Sequence, residues 1–249
     1  MPASKNAVVI VTGASRGIGA AIACRAAETG YSVIVNYSVD RTGADNVVEG
    51  IISRGGRALP VQANIRNEED IIRLFDAAEN EFGPITALVN NAGIAGPAVP
   101  VTEIYAEDLR DLLNVNLYGP FLCAREAVRR MTPHGRGSIV NVSSTAAVGG
   151  GAGRFVAYAA TKAGLETMTI GLAREAGPLG IRINAIQPGR IESGMANTAA
   201  QSEDIERFIQ SVPLRRLGLP EEAANAVLWL LSEEASYVNG AVVPISGGR

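Results

Sequence analysis

Seven short runs of β-branched and aliphatic residues recur along the 249-residue chain, each followed by a longer helical pattern until the last. The runs span 7–13, 32–37, 57–63, 86–93, 137–144, 181–189 and 240–246. Most are nearly continuous in apolar residues, as expected of parallel strands covered on both faces; a half-wet sheet would alternate instead. Helical patterns occupy 17–29, 41–54, 67–82, about 107–131, 155–177 and 220–232, the last opening on Pro220, Glu221 and Glu222 as a helix start should. This order predicts an α/β fold, a doubly wound parallel sheet of about seven strands with helices on both faces. Without an internal repeat, low-complexity tract or linker, the chain reads as a single domain over 1–249.

Composition removes several function classes. Twenty-two Lys plus Arg against 25 Asp plus Glu leave a net charge of -3, which argues against a nucleic-acid partner. No apolar run approaches the roughly 18 residues needed to span a bilayer. The opening MPASKNAVVIVTG does not read as a signal peptide, so a cytoplasmic location is expected. Cys24 and Cys123 stand in helical patterns without metal-like spacing, where a free cysteine is a small buried hydrophobe. The one histidine, His134, lies in a polar PHGRG turn, which excludes histidine triads and zinc clusters. Proton chemistry must use Tyr, Lys, Asp, Glu or water.

TGASRGIG (12–19) follows the first strand and opens the first helix. Gly13 permits a tight turn, while Gly17 and Gly19 let a phosphate approach the helix N-terminus. No Lys-Ser or Lys-Thr follows, so this is a dinucleotide turn rather than a P-loop. The acid expected about 20 residues on, which would bond a ribose 2′-hydroxyl, is missing. The second strand ends in Asn36, Tyr37 and Ser38. The lack of a carboxylate there, with Arg16 in the turn, favours NADP and keeps NAD as the alternative. Arg41 reads as a solvated arginine at a helix start.

AYAATK (157–162) sets a phenol and an ammonium about one helical turn apart. Reducing a ketone with hydride leaves a developing alkoxide, which needs a proton donor where the charge appears. A lysine charge about 6 Å from the phenol, at an effective dielectric near 20, favours the phenolate by about two pK units. On this reading the small residues at 159–161 leave room for cofactor and substrate.

Taken together, TGASRGIG, NNAG (90–93), NVN (114–116), NVSS (141–144), YAATK and QPG resemble the short-chain dehydrogenase/reductase family over essentially the whole chain. The resemblance is nearest to bacterial 3-oxoacyl-carrier-protein reductases and to sugar or alcohol dehydrogenases. It implies a Rossmann-type fold, hydride transfer between NADP(H) and a ketone or secondary alcohol, and a homotetramer paired through the helices at about 107–131 and 155–177. By position, Tyr158 should be the general acid/base and Ser144 should orient the carbonyl, although Ser143 is its neighbour. Lys162 should hold the nicotinamide ribose and lower the phenol pKa, and Asn116 should retain a proton-relaying water. Cofactor contacts are implied for Gly13, Ser15, Arg16, Gly17, Ile18, Gly19, the strand end at Asn36, Tyr37 and Ser38, and for Asn64 and Ile65. They are also implied for Asn90 or Asn91, Ala92, Gly93, Pro188, Gly189, Ile191 and Ser193.

The substrate side is less specific. Residues 145–155 read as a mobile glycine-rich loop and 190–214 as a flexible lid with Arg190 and Met195 near its hinge. Arg129, Arg130 and Arg174 are the candidates for docking an acyl carrier protein. A non-catalytic nucleotide-binding regulator is the remote alternative, and the complete Asn116, Ser144, Tyr158 and Lys162 set argues against it.

Overall fold

The computed structural model describes residues 7–192 and 202–249. All seven expected strands form: β1 (Val8–Val11), β2 (Ser32–Tyr37), β3 (Arg57–Gln62), β4 (Ala87–Asn90), β5 (Gly137–Val142), β6 (Ile181–Pro188) and β7 (Val242–Ile245). Every pairing is parallel, in the order β3-β2-β1-β4-β5-β6-β7. The chain direction across the sheet therefore reverses between β1 and β4, and the carboxyl ends of these strands border a crevice.

Continuous apolar strands satisfy two cores at once, because successive side chains point to opposite faces. Val8 and Ile10 of β1 join Ile34, Leu88, Ile139 and Ile183 in one cluster. Val9 and Val11 join Val33, Val35, Val89 and Val140 in the other. The first cluster is closed by α3 (Glu68–Phe82), α5 (Gly119–Met131) and α7 (Val156–Ala176). The second is closed by α1 (Gly17–Glu28), α2 (Arg41–Ser53) and α9 (Pro220–Leu231). Among the described residues, no helix is long and apolar enough to cross a membrane.

Three departures from the expected helices concern the site. The pattern at about 107–131 divides into α4 (Ala106–Leu113), a π turn at Asn114–Tyr118 and α5. The glycine-rich stretch contains one helical turn, α6 (Ala146–Gly149). Within the expected lid, Ser202–Ser211 forms the helix α8, and the guanidinium groups of Arg190 and Arg249 stand 5.5 and 4.3 Å from the Phe208 ring centroid. Arg190 is thus stacked on an aromatic face. Met195 and Ser193 lie outside the described residues.

The glycine turn sits against β4 at near-minimal distance. Gly13 has φ +61, and a Cβ there would meet the Ala92 backbone at 2.9 Å. A Cβ on Gly19 would overlap both the Gly13 carbonyl and the Asn91 amide. Neither the carbonyl nor the bonded amide can yield without breaking the turn. Gly19→Ala is therefore expected to lower the free energy of unfolding by about 1–3 kcal/mol, the usual cost of overpacking. Urea denaturation should show an earlier midpoint with an unchanged slope.

Candidate active site

A cleft of about 650 Å³ runs along the carboxyl ends of the strands. Gly13, Ser15, Arg16, Gly17, Ile18 and Gly19 form one wall. Asn36, Tyr37, Ser38, Asn64 and Ile65 border one end, and Asn91, Ala92 and Gly93 lie at the middle. Ser144, Tyr158, Lys162, Pro188, Gly189 and Ile191 border the other end. The topology thus gathers residues separated by up to 178 positions (13 to 191) into one crevice.

The N-terminus of α1 opens into this cleft. Arg16 is its N-cap in extended conformation, without a side-chain capping bond, and the first turn holds no acid. The first intrahelical donor outside the cap is the Ala20 N–H, which reaches the Arg16 carbonyl at 3.3 Å. The N–H groups of the preceding turn and the positive end of the helix dipole therefore suit a phosphate. Arg16 itself makes no ion pair among the described residues. Asp40 also lines the cleft, a carboxylate that the reading of the strand end overlooked. Its side chain accepts a bond from the Gly43 N–H and caps α2 at 3.0 Å. Arg41 points elsewhere and pairs with Asp45 at 3.2 Å.

The asparagines at the strand ends divide between lining the cleft and holding its walls. The Asn36 Oδ1 accepts the Gly13 N–H at 3.2 Å, while its amide donates to the Val61 and Ala63 carbonyls. It is buried and braces the glycine turn; its donors are not left over for a ligand. Asn91 donates to the Thr12 and Gly13 carbonyls, both at 2.9 Å. Asn90 points away, into the core, donating to Asn141 and to the Pro120 carbonyl, so of the two it is Asn91 that lines the cleft. Asn64 uses its Oδ1 on the Arg66 N–H and keeps its amide exposed.

At the other end the serine ambiguity resolves by strand alternation. The Ser144 hydroxyl bonds the Tyr158 phenol and accepts the Ala146 N–H at 3.1 Å. Ser143 points away and donates to Glu166 at 2.5 Å. The Lys162 ammonium is buried, donates to the Val142 carbonyl at 2.8 Å and stands 5.8 Å from the Tyr158 ring centroid. Asn116 reaches this group from the π turn: a Cβ on Gly93 would touch Asn116 Oδ1 at 3.2 Å and Lys162 Nζ at 3.3 Å. Its side chain pairs reciprocally with the backbone of Ile94 and donates to Thr161 Oγ1 at 3.1 Å. Both amide protons are committed, which leaves one lone pair of Oδ1 as its capacity for a water.

Two expectations need correction. Burial holds the Tyr158 phenol above its usual range, against the opposing hydrogen bond from Ser144. Burial also pushes Lys162 down to about 8, with the Glu166 charge opposing. Desolvation therefore outweighs the simple Coulomb lowering of the phenol expected from the spacing. Nor do the small residues at 159–161 simply clear space. Ala159 and Thr161 are buried, and Thr161 is the anchor for Asn116.

Other groups are occupied. Arg129 pairs with Glu126 at 3.0 Å, and Arg130 pairs with Asp76 and Glu79 at 2.7 and 2.6 Å. Arg130 thus joins α5 to α3, whereas Arg129 bonds within α5 and stays largely exposed, as does Arg174. Cys123 is buried and its thiol is pushed up to about 12, an unreactive state. A larger, open groove of about 1360 Å³ lies at the opposite, amino ends of the strands. Its Arg182 is spent on the carbonyls that end α9, including Leu230 and Ser232, so its charge is structural there.

The sequence matches, over residues 13–249, the family model described as enoyl-(acyl carrier protein) reductase. The uncharacterized oxidoreductase YgfF of Escherichia coli is 42% identical over 98% of this chain and 100% of its own. Glucose 1-dehydrogenase 2 of Bacillus subtilis is 39% identical, over 96% of this chain and 93% of its own. A 3-oxoacyl-[acyl-carrier-protein] reductase of Synechocystis is 37% identical, over 100% and 98%. The crystal structure of levodione reductase superposes with a TM-score of 0.94 at 33% identity, covering 99% of this chain and 98% of the other. On the strength of these matches and of the shared parallel sheet, the chain belongs to the short-chain dehydrogenase/reductase family of NAD(P)-dependent oxidoreductases.

Proposed function

We propose that this single-domain enzyme interconverts a ketone and a secondary alcohol with NADP(H), and that a 3-oxoacyl thioester of an acyl carrier protein is its substrate class. The reading is carried by the Ser144–Tyr158 hydrogen bond at one end of a cleft whose other end offers an uncapped helix N-terminus and Arg16. The N–H groups of Gly17, Ile18 and Gly19 take the pyrophosphate, Arg16 and Ser38 the 2′-phosphate, and the free amide of Asn64 the adenine. Pro188, Gly189 and Ile191 back the nicotinamide, and Lys162 holds its ribose. When bound, the nicotinamide supplies the hydride or takes it back.

Ser144 holds the substrate oxygen. Tyr158 gives that oxygen its proton in reduction and removes it in oxidation. Lys162 offsets the charge on the phenolate that remains, and burial makes that interaction stronger than it would be in water. Asn116 fixes α7 to the Gly93 turn, so that the lysine and the phenol keep their spacing. Beside Tyr158, Ala95, Val99, Val101, Ile104, Phe155 and Val156, together with Arg154, line a small and mostly apolar recess of about 20 Å³. Apolar carbon suits most of that lining better than sugar hydroxyls do. The second reading, a small-alcohol or sugar dehydrogenase, draws on one specific observation: two of the three arginines placed for a carrier protein, Arg129 and Arg130, already hold carboxylates, while Arg174 stands exposed. Cytoplasmic location and a homotetramer complete the proposal.

Tyr158→Phe keeps the ring and deletes the proton. We expect kcat to fall by about 10²–10⁴-fold while the dissociation constant for NADPH, read by fluorescence titration, stays within about twofold. Retained turnover would remove Tyr158 from the chemistry. Arg16→Ala removes a charge-assisted phosphate contact worth about 1.5–3 kcal/mol. The KM for NADPH should rise by roughly 10- to 100-fold, with little change for NADH. An equal change for both cofactors would show that Arg16 does not read the 2′-phosphate. Both cofactors should be assayed with a 3-oxoacyl thioester, a small ketone and a sugar.

A further inference from the structure

Glu166 lies one turn beyond Lys162 on α7, as Tyr158 lies one turn before it. Its side chain is partly buried. Oε1 accepts the Ser143 hydroxyl at 2.5 Å and the Gln187 amide at 2.9 Å, so the ends of β5 and β6 clamp it from two sides. Ser143 also lies 3.4 Å from the Lys162 carbonyl, tying the same strand end to the backbone of the catalytic turn. We propose that Glu166 is a positioning residue of the active site, whose clamped carboxylate keeps the buried Lys162 ammonium charged and in place behind Tyr158.

A buried ammonium is costly without a counter-charge. The groups facing Lys162 from other elements are neutral: the Val142 carbonyl of β5, Asn116 of the π turn and Gly93 after β4. Tyr158 is protonated over the neutral range, since burial raises it. Glu166 is the one carboxylate acting on Lys162 among the described residues, and it favours the charged form against burial. The clamp has a cost, because a carboxylate held by two donors from two strands has lost its rotamer freedom. That geometry fixes where the carboxylate sits. The inference rests on the proposed roles of Lys162 and Tyr158 for its catalytic meaning, but its physical content can be read without turnover.

The chain has two lysines, Lys5 and Lys162, so protein labelled with ¹³C-lysine gives two ε-carbon signals. Titration of the intact chain without substrate or cofactor should place the Lys162 midpoint near 8. Glu166→Gln preserves an acceptor for both Ser143 and Gln187 and deletes only the charge. Its Lys162 midpoint should fall by about 0.5–2 pH units, the range Coulomb's law spans for charges roughly 6 Å apart between aqueous and protein-like screening. Glu166→Ala carries the same expected shift should the glutamine variant fold poorly. The sign follows directly: losing a negative neighbour lets the ammonium shed its proton at lower pH, so the alkaline limb of kcat/KM for carbonyl reduction moves to lower pH by the same amount. A midpoint unmoved in both variants overturns the proposal, as does a lowered kcat with an unmoved limb, which would mark a merely structural clamp. Because the lysine titration needs no substrate, it stands or falls separately from the reductase reading; loss of activity in Tyr158→Phe tests that reading alone.

Discussion

Side-chain amides at the carboxyl ends of the strands hold the crevice open, and the rest of the site hangs from them. A strand end in a parallel sheet leaves backbone groups that the ladder no longer pairs, and these must find partners if buried. Asn36 joins β2 to the glycine turn and to the end of β3. Asn91 joins β4 to the same turn from the other side. Asn141 accepts from Asn90 and donates to Thr169 at 2.8 Å, linking β4, β5 and α7. Asn36 and Asn141 both donate and accept, while Asn91 donates twice, and low dielectric strengthens such buried bonds. The glycines allow close approach, but these amides set its distance.

The same logic of burial governs Tyr158 and Lys162, the groups proposed to react. A phenol and an ammonium at helical spacing invite a simple electrostatic account, in which the positive charge draws the phenol down. In the folded chain both groups leave water, so each is pushed toward its neutral form: the phenol up, the amine down. Their competition is settled by the fixed partners around them: Ser144 on the phenol, the Val142 carbonyl and Glu166 on the lysine. The π turn contributes by geometry alone. Its extra residue per turn rotates Asn116 out of the α5 stack toward Gly93, where it meets Thr161.

How much of this was legible in the chain depends on the range of the interaction. Strand runs and helix starts are local patterns, and all seven strands and the long helices fall within a few residues of their expected limits. Tyr158 and Lys162 are legible because four residues on a helix define a distance. Ser143 against Ser144 is not, because a strand alternates faces and one residue of register decides which hydroxyl sees the cleft. The structural part of Asn36 is invisible for another reason: its partners lie 23 to 27 positions away and appear only when β2 meets β1 and β3. The carboxylates that occupy Arg130 come from α3, 51 and 54 residues distant, so its exposure could not be read from its own helix.

Opposite charges at the proposed 2′-phosphate end are the least obvious consequence of the fold. Asp40 and Arg16 both line the cleft, and a bare pair of signs would favour neither a hydroxyl nor a phosphate. Their situations differ, however. Asp40 spends its carboxylate on the Gly43 N–H at the start of α2, where the helix dipole offsets part of its charge. Arg16 stands at the start of α1, where the dipole has its own sign and repels it. An anion arriving beside Arg16 relieves that repulsion as well as pairing the guanidinium. The asymmetry argues for a phosphate at this end, and it arises from which helix terminus each residue occupies rather than from the count of charges along the second strand.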